Sequence, residues 1–414
     1  MTILLLLSTV LTQSDTAAIN RYVRAEMERQ RIPGLSLAVL RGDSVLLSRG
    51  YGFANVELRV PASDSTVYQS GSMGKQFTAA LVELLVDRGK LRLDDSIARW
   101  FLEGATVWRG VTVRRLLTHT AGIAEYTDST FDYRRDHTED ELVRFAASRP
   151  LDFQPGERWS YSNTGYLLLG ALIHRVSGVF YGDLLRDSVF GPLGMRDSRV
   201  ISEADIVPNR AAGYRLEDGV LKNQEWVAPS LNTTADGALY LTVRDLTRWA
   251  VALNHARVPS RSALDTAWTP VRLADGATYP YGFGWSLLPQ RGERRVSHTG
   301  SWQGFKTVIA RYPKSGFTVV VLANLAEAQV GAIAYGIAGM LEPSLRPPHL
   351  LPVGNGTHTR PPPIPDLLRA ISYLGAQIGH ICHARSERPS GSGTAVSVFY
   401  TSNWRAAGVE GYGY

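Results

Sequence analysis

The segment Gln69-Ser70-Gly71-Ser72-Met73-Gly74-Lys75-Gln76-Phe77-Thr78 places a serine three residues ahead of a lysine, just before an apolar run. If Ser72 opens a helix, Lys75 stands one turn on and on the same face. A serine hydroxyl at its ordinary pKa is a poor nucleophile and needs a base within hydrogen-bond reach. A lysine whose pKa is lowered by a dry, positive site can be that base. The N-terminal end of the helix dipole also favours negative charge developing at the serine oxygen. Ser-x-x-Lys is weak evidence alone, because an N-cap serine followed by a solvated lysine reads the same way.

Two other clusters bear on it. Tyr161-Ser162-Asn163 follows the turn Gln154-Pro155-Gly156 and leads into a helix of Leu and Ala. The Tyr161 phenol can relay a proton, and the Asn163 amide can hold a substrate carbonyl while orienting Lys75. The same residues also fit a helix-entry loop with a capping Asn and a half-buried Tyr. The third cluster, Val296-Ser297-His298-Thr299-Gly300-Ser301-Trp302, stands at the end of a strand. Gly300 lets a substrate approach the backbone and pair with the strand edge beside Thr299. The Ser301 N–H could join the Ser72 N–H as an oxyanion hole. His298 is either cationic or hydrogen-bonded, supporting Tyr161 or a substrate carboxylate; a lone histidine can equally be a satisfied structural group.

In order and spacing, Ser72-x-x-Lys75, Tyr161-Ser162-Asn163 and His298-Thr299-Gly300 resemble the three motifs of the serine β-lactamase and penicillin-binding superfamily. The likeness is to the branch of class C β-lactamases, D-alanyl-D-alanine carboxypeptidases, D-aminopeptidases and family VIII esterases. It extends through Leu116–Gly122, Gly191–Met195 and Asp236–Tyr240, and covers roughly residues 17–342. The resemblance implies a serine hydrolase: Ser72 attacks an amide or ester carbonyl, Lys75 takes its proton, Tyr161 returns one to the leaving group, and water then releases the acyl group. It implies no metal and no organic cofactor. Class C β-lactamases usually carry a lysine where His298 stands, so weak or slow β-lactam turnover is expected. A true class C-like β-lactamase is the alternative. His119, in a Thr-His-Thr loop with no partner pattern, reads as structural.

These groups must be held by the surrounding elements. Apolar spacing around Ile19, Val23 and Met27 predicts a helix from Thr16 to about Gln30. Leu35–Leu40 and Ser44–Gly50, joined by Arg41-Gly42-Asp43, read as a hairpin. The middle is helical in texture at Phe77–Asp87, Val113–Leu117, Asp140–Ala147, Thr164–Val176 and Val243–Leu253. Strand character returns at Arg294–His298, Phe305–Tyr312 and Phe317–Asn324, before a closing helix at Ala328–Leu341. The expected fold is therefore α/β (α+β): one antiparallel sheet built from both ends of the chain (about 16–70 and 280–342) and flanked by helices. An all-helical or mostly helical insertion (about 76–275) forms the other wall of a cleft. Trp302, Tyr281 and Trp285 are candidates to shape that cleft.

Composition limits the alternatives. The 414 residues carry a formal net charge of +6, nearly all of it arginine, since there are five lysines (75, 90, 222, 306 and 314). The arginines are scattered, which argues against nucleic acid as a partner. The partner is a small-molecule or peptide substrate, and the oligomeric state is left open. A single cysteine, Cys382, excludes an internal disulfide framework and a Cys-cluster metal site. The apolar stretch 3–11 is too short to span a bilayer and suits the core of a signal peptide within 1–15, which favours export. It lacks a preceding Lys or Arg and a clean cleavage site. Nine of the 21 prolines lie in 343–414, which reads as a partly disordered or loosely packed appendage, with a small docking module as its rival.

Two rival functions are tested by position. An α/β-hydrolase needs Gly-x-Ser-x-Gly; Gly34-Leu35-Ser36-Leu37-Ala38 comes nearest, inside an apolar strand. A non-catalytic binding protein that keeps the fold would have no need of the chemical groups that are all present here.

Overall fold

Short apolar runs at the two ends of the chain become strands of one sheet in the computed structural model, which describes residues 11–127 and 131–346. The strands are β1 (Gly34–Arg41), β2 (Ser44–Asn55), β3 (Val60–Pro61), β4 (Val296–Trp302), β5 (Phe305–Tyr312) and β6 (Phe317–Ala323). They are antiparallel and lie in the order β4-β5-β6-β1-β2-β3. Strand β1 joins the two ends: Leu37 pairs with Arg49 on one side and with Val321 on the other. Strand β4 forms one edge and runs on through Gly300, paired with Thr307, to the tight turn closed by Trp302 and Phe305. That pairing carries it beyond His298, where sequence alone ends it.

Alternate side chains of these strands face opposite ways. Leu35, Leu37, Val39, Val319 and Val321 pack with Ile19 and Val23 of helix α1 (Gln13–Gln30) and with Ile333 and Ile337 of the closing helix Val330–Leu341. Ala38, Leu40, Ile309, Val320 and Leu322 pack on the other face with Phe77 and Leu81 of helix α2 (Lys75–Asp87). Both faces are covered, so β6 is buried along its whole length. Helix α1 starts at Gln13 rather than Thr16 because Thr12 and Asp15 form a reciprocal capping box: the Asp15 N–H donates to Thr12 Oγ1 at 3.0 Å and the Thr12 N–H to Asp15 Oδ2 at 3.2 Å.

Between the two halves of the sheet lies a chiefly helical region that includes α3 (Val113–Leu117), α4 (Glu139–Ala147), α5 (Asn163–Ser177) and the helix Val243–Asn254. It is not purely helical. Tyr68–Gln69, Leu239–Leu241 and Arg199–Val200 form a small sheet, and Tyr214–Glu217 pairs with Val220–Asn223 across an Asp218-Gly219 turn. Both turn residues have positive φ, the signature of a two-residue hairpin loop. Among the described residues no single helix is long and apolar enough to cross a membrane. Residues 1–10 of the expected signal segment 1–15, and 347–414 of the expected appendage 343–414, fall outside the described residues; the start of that appendage, Pro343–Leu345, is a 3-10 turn with Leu345 buried in the core rather than loosely packed.

Helix α2 carries a buried acid. Glu83 is 5% exposed and its Oε1 has no hydrogen-bond partner among the described residues. Burial, and then Asp87 one turn on, push its carboxyl well above the ordinary range. The folded state thus holds this proton more tightly than the unfolded chain does. Its contribution is fully present below the unfolded carboxylate pKa and is lost as pH rises through the folded value. Glu83→Gln is expected to stabilise the protein at pH 8 by about 1 kcal/mol, roughly 2–4 °C in melting temperature, with a smaller gain at pH 5. Calorimetry at the two pH values checks this; a lower melting temperature at pH 8 contradicts it.

Candidate active site

Ser72 sits in a single 3-10 turn, Gly71–Gly74, that feeds directly into α2. Gly71 has φ +51°, and a Cβ there would lie 2.4 Å from the Ser301 nitrogen. Only glycine lets the Ser72 turn and strand β4 come this close, and the Ser301 amide is thereby set beside the nucleophile candidate.

Lys75 is the first residue of α2 and is fully buried. Its Nζ lies 3.1 Å from Ser72 Oγ, and it donates to Asn163 Oδ1 at 2.8 Å and to the Asp236 carbonyl at 2.6 Å. The amino group also lies 4.8 Å from the Tyr161 ring centroid and 5.5 Å from that of Tyr166. Asn163 Oδ1 and the Asp236 carbonyl can only accept, so they occupy two N–H bonds of the amine. The remaining direction towards Ser72 holds either a third N–H or, in the neutral amine, a lone pair that accepts the serine proton.

Asn163 opens α5. Ser162 caps that helix by accepting the Gly165 N–H at 3.0 Å. The Glu125 carboxylate completes the cap, accepting the Asn163 N–H at 2.7 Å and the Thr164 N–H at 3.3 Å. Glu125 keeps part of its surface exposed while its carboxyl head is enclosed, and burial raises its pKa above the ordinary range. Asp236, whose backbone carbonyl holds Lys75, has Oδ2 anchored by the Tyr126 hydroxyl at 2.9 Å. Sequence reasoning missed Glu125 and gave Asp236 no role. Neither carries a spacing signal, because their partners come from other loops.

The cleft above these groups has a cavity volume of about 110 Å³ and is lined by Ser72, Tyr133, Asn163, Asp236, Ser301 and Trp302, among others. Trp302 is held by a 2.7 Å bond from its Nε1–H to Asn232 Oδ1. Gly300 has no room for a side chain: a Cβ would sit 2.0 Å from the Ser70 carbonyl oxygen. Thr299 is half-buried, and its carbonyl accepts the His298 Nδ1–H at 2.6 Å.

The structure selects between the two readings of His298 and changes two further expectations, those for Tyr281 and Trp285. His298 is buried and not cationic: burial first, then Lys75, push its pKa down to about 3. Its Nε2 lies 2.8 Å from the Tyr281 hydroxyl, behind the cleft rather than in its wall, so it offers no charge to a substrate carboxylate. Tyr281 is likewise buried beneath the site rather than shaping it. Trp285 belongs to the core, edge-on to Trp268 with ring centroids 6.4 Å apart. The rival Ser36 is a fully buried strand residue whose hydroxyl donates to the Ser63 carbonyl at 2.6 Å.

Fold, serine–lysine pair and cleft together define a class, and comparison with known families agrees: residues 19–338 match the family described as Beta-lactamase. The chain belongs to that family, and its class is that of serine hydrolases with the β-lactamase fold. It is similar to a penicillin-binding protein of Bacillus subtilis, 33% identical over 318 residues that cover 72% of this chain and 70% of the relative. It is also similar to a D-aminopeptidase of Gluconobacter oxydans, 26% identical over 92% of this chain and 77% of the relative. Among solved structures, the octameric penicillin-binding protein homologue from Pyrococcus abyssi matches with a TM-score of 0.71 at 30% identity, covering 79% of this chain and 77% of that one. D-amino acid amidase from Ochrobactrum anthropi SV3, complexed with D-phenylalanine, matches with a TM-score of 0.67 at 26% identity, covering 80% and 98%.

Proposed function

We propose that this protein hydrolyses amide or ester bonds through an acyl-enzyme on Ser72. The observation that carries the reading is the Lys75 amine, which has two fixed acceptors and its third direction aimed at Ser72 Oγ. Ser72 Oγ bonds to the substrate carbonyl carbon and its proton passes to Lys75 Nζ. The bond to the amine or alcohol then breaks, and Tyr161, beside Lys75, returns the proton to the departing nitrogen or oxygen. Water takes the same route in reverse: it loses a proton to the Tyr161–Lys75 pair, attacks the acyl carbon and frees Ser72. The Ser72 and Ser301 amides stabilise the oxyanion in both steps. Labelling with a fluorophosphonate followed by peptide mass spectrometry tests this. An adduct on Ser72 is expected; an adduct on Ser36, or full activity in Ser72→Ala, overturns it.

The charges around the cleft favour one set of acyl donors. Among the described residues, the lining of the cleft includes Asp236 and no arginine, lysine or histidine, and His298 is neutral. Apart from Lys75, the proposed base, a β-lactam carboxylate finds no cation among those residues, whereas a free amine finds Asp236. The names of the relatives, D-aminopeptidase and D-amino acid amidase, agree with an amine-bearing substrate. Nitrocefin is therefore expected to turn over with a kcat/KM about 100-fold below that of p-nitrophenyl butyrate. D-phenylalanine p-nitroanilide is expected to surpass its N-acetyl form about 10-fold. Fast nitrocefin hydrolysis without ester activity would establish the β-lactamase alternative instead.

A further inference from the structure

His119 holds the Tyr161 segment from both sides. Its carbonyl accepts the Ser160 N–H at 2.9 Å, and its Nδ1 accepts the Ser162 N–H at 3.1 Å. Tyr161, between those two bonds, has its ring 4.3 Å from the imidazole, centroid to centroid. His119 reaches this position with φ +58°, a conformation that side chains with a Cβ rarely adopt and that tends to persist at functional sites. The sequence offered no partner for it.

The contacts continue on the other side of the ring. His119 Nε2 lies 3.1 Å from the Tyr281 hydroxyl, which lies 2.8 Å from His298 Nε2, and His298 Nδ1 lies 2.6 Å from the Thr299 carbonyl. The two ends are backbone groups of fixed character: Ser162 N–H can only donate and Thr299 C=O can only accept. With both rings neutral and the Tyr281 proton directed at His298, every proton along this line is placed. His119 accepts at Nδ1 and donates from Nε2–H to Tyr281, the Tyr281 hydroxyl donates to His298 Nε2, and His298 donates from Nδ1–H. We propose that His119, Tyr281 and His298 form a one-directional chain of neutral groups that positions Tyr161 and Asn163 over Lys75 and ties them to strand β4.

These are positioning residues for the reaction proposed above, and the chain gives His298 a purpose other than gripping a carboxylate. Burial holds both imidazoles neutral: His298 falls to about 3, and His119 falls well below its ordinary value, with Lys75 adding to each effect. A proton on His119 Nδ1 would set it against the Ser162 N–H, two donors facing each other, and a proton on His298 Nε2 would turn the Tyr281 link round. The helix entry at Ser162 and the strand at Thr299 come from stretches of chain far apart in sequence, so the relay fixes two walls of the site with respect to one another.

The first test needs no substrate. Nitrogen-15 NMR of the resting wild-type protein at pH 7 should show His119 as the Nε2–H tautomer and His298 as the Nδ1–H tautomer. The opposite tautomer, or averaging between the two, at either residue overturns the chain and leaves the acyl-serine reading untouched. The second test is kinetic, with p-nitrophenyl butyrate. Tyr281→Phe and His119→Phe should each lower kcat about 10- to 100-fold with KM changed less than about 3-fold, because orientation rather than binding is lost. The double variant should be no worse than the poorer single one, since both break the same chain. His119→Gln, whose amide offers an acceptor and a donor with similar spacing, should stay within about 3-fold of wild type. Multiplying losses, an unaffected Tyr281→Phe, or a His119→Gln as poor as His119→Phe would each overturn the proposal.

Discussion

Replacing Lys75 by methionine is expected to slow acylation of Ser72 by a fluorophosphonate about 10⁴-fold while leaving the melting temperature unchanged or higher. Methionine keeps the length and volume of the lysine stem but loses the amine that faces Ser72 Oγ. With the proposed base gone, the hydroxyl must ionise unaided. Stability should move in the other direction, because Lys75 is fully buried and its amine bonds to two carbonyl oxygens and faces a hydroxyl. Burying such a group costs desolvation, and a well-packed apolar replacement is often neutral or stabilising. The opposing changes separate a catalytic lysine from a structural one. Stopped labelling and calorimetry on the same sample read both; a loss of acylation below about 10-fold contradicts the role assigned to the amine.

Gly300→Ala is expected to lower kcat for p-nitrophenyl butyrate by roughly 10²–10³-fold and stability by about 1–3 kcal/mol. The added methyl group would meet the Ser70 carbonyl at 2.0 Å, Thr307 Oγ1 at 2.5 Å and the Met73 nitrogen at 2.8 Å. Two of these are backbone atoms of the turn that carries Ser72, so the collision cannot be relieved by turning a flexible side chain. Either β4 moves away from the turn or the turn moves from β4, and the Ser301 amide separates from the Ser72 amide in both cases. Thr307→Ala supplies the control. It removes the 2.6 Å bond from Thr307 Oγ1 to the Ser70 carbonyl without adding volume, and should cost less than about 10-fold in kcat. If Gly300→Ala retains wild-type kcat, the close approach of strand and turn has no part in the reaction.

The parts of the site that are local in sequence were legible there. Ser72 and Lys75 lie one turn apart, and Tyr161, Ser162 and Asn163 enter a helix together, so their relation follows from helix geometry alone. The sheet was legible as well, because Leu35–Leu40 and Phe317–Ala323 are apolar runs bounded by turn residues. What stayed hidden depends on chain segments meeting in space. Glu125 caps α5 from a loop almost forty residues earlier. His119 looked idle because its partners, Ser162 and Tyr281, follow at separations of 43 and 162 residues. His298 was left open between cation and hydrogen-bonded neutral group, a choice that burial decides and spacing cannot. The Asp218-Gly219 hairpin is a different case: its turn signal was present but lay in a region read as all or mostly helical.

The order of strands in the sheet has a consequence for synthesis of the chain. Strand β1 is made early, yet one of its two neighbours is β6, which ends at Ala323. Ser72 and Lys75 leave the ribosome well before the segment 298–301 that completes their surroundings. The nascent protein therefore carries an exposed strand edge for most of its translation, a state in which association between chains competes with correct pairing. On the proposed mechanism, hydrolytic competence arrives only with the last strands, so a truncated product ending before them would possess Ser72 and Lys75 without the groups that complete their surroundings.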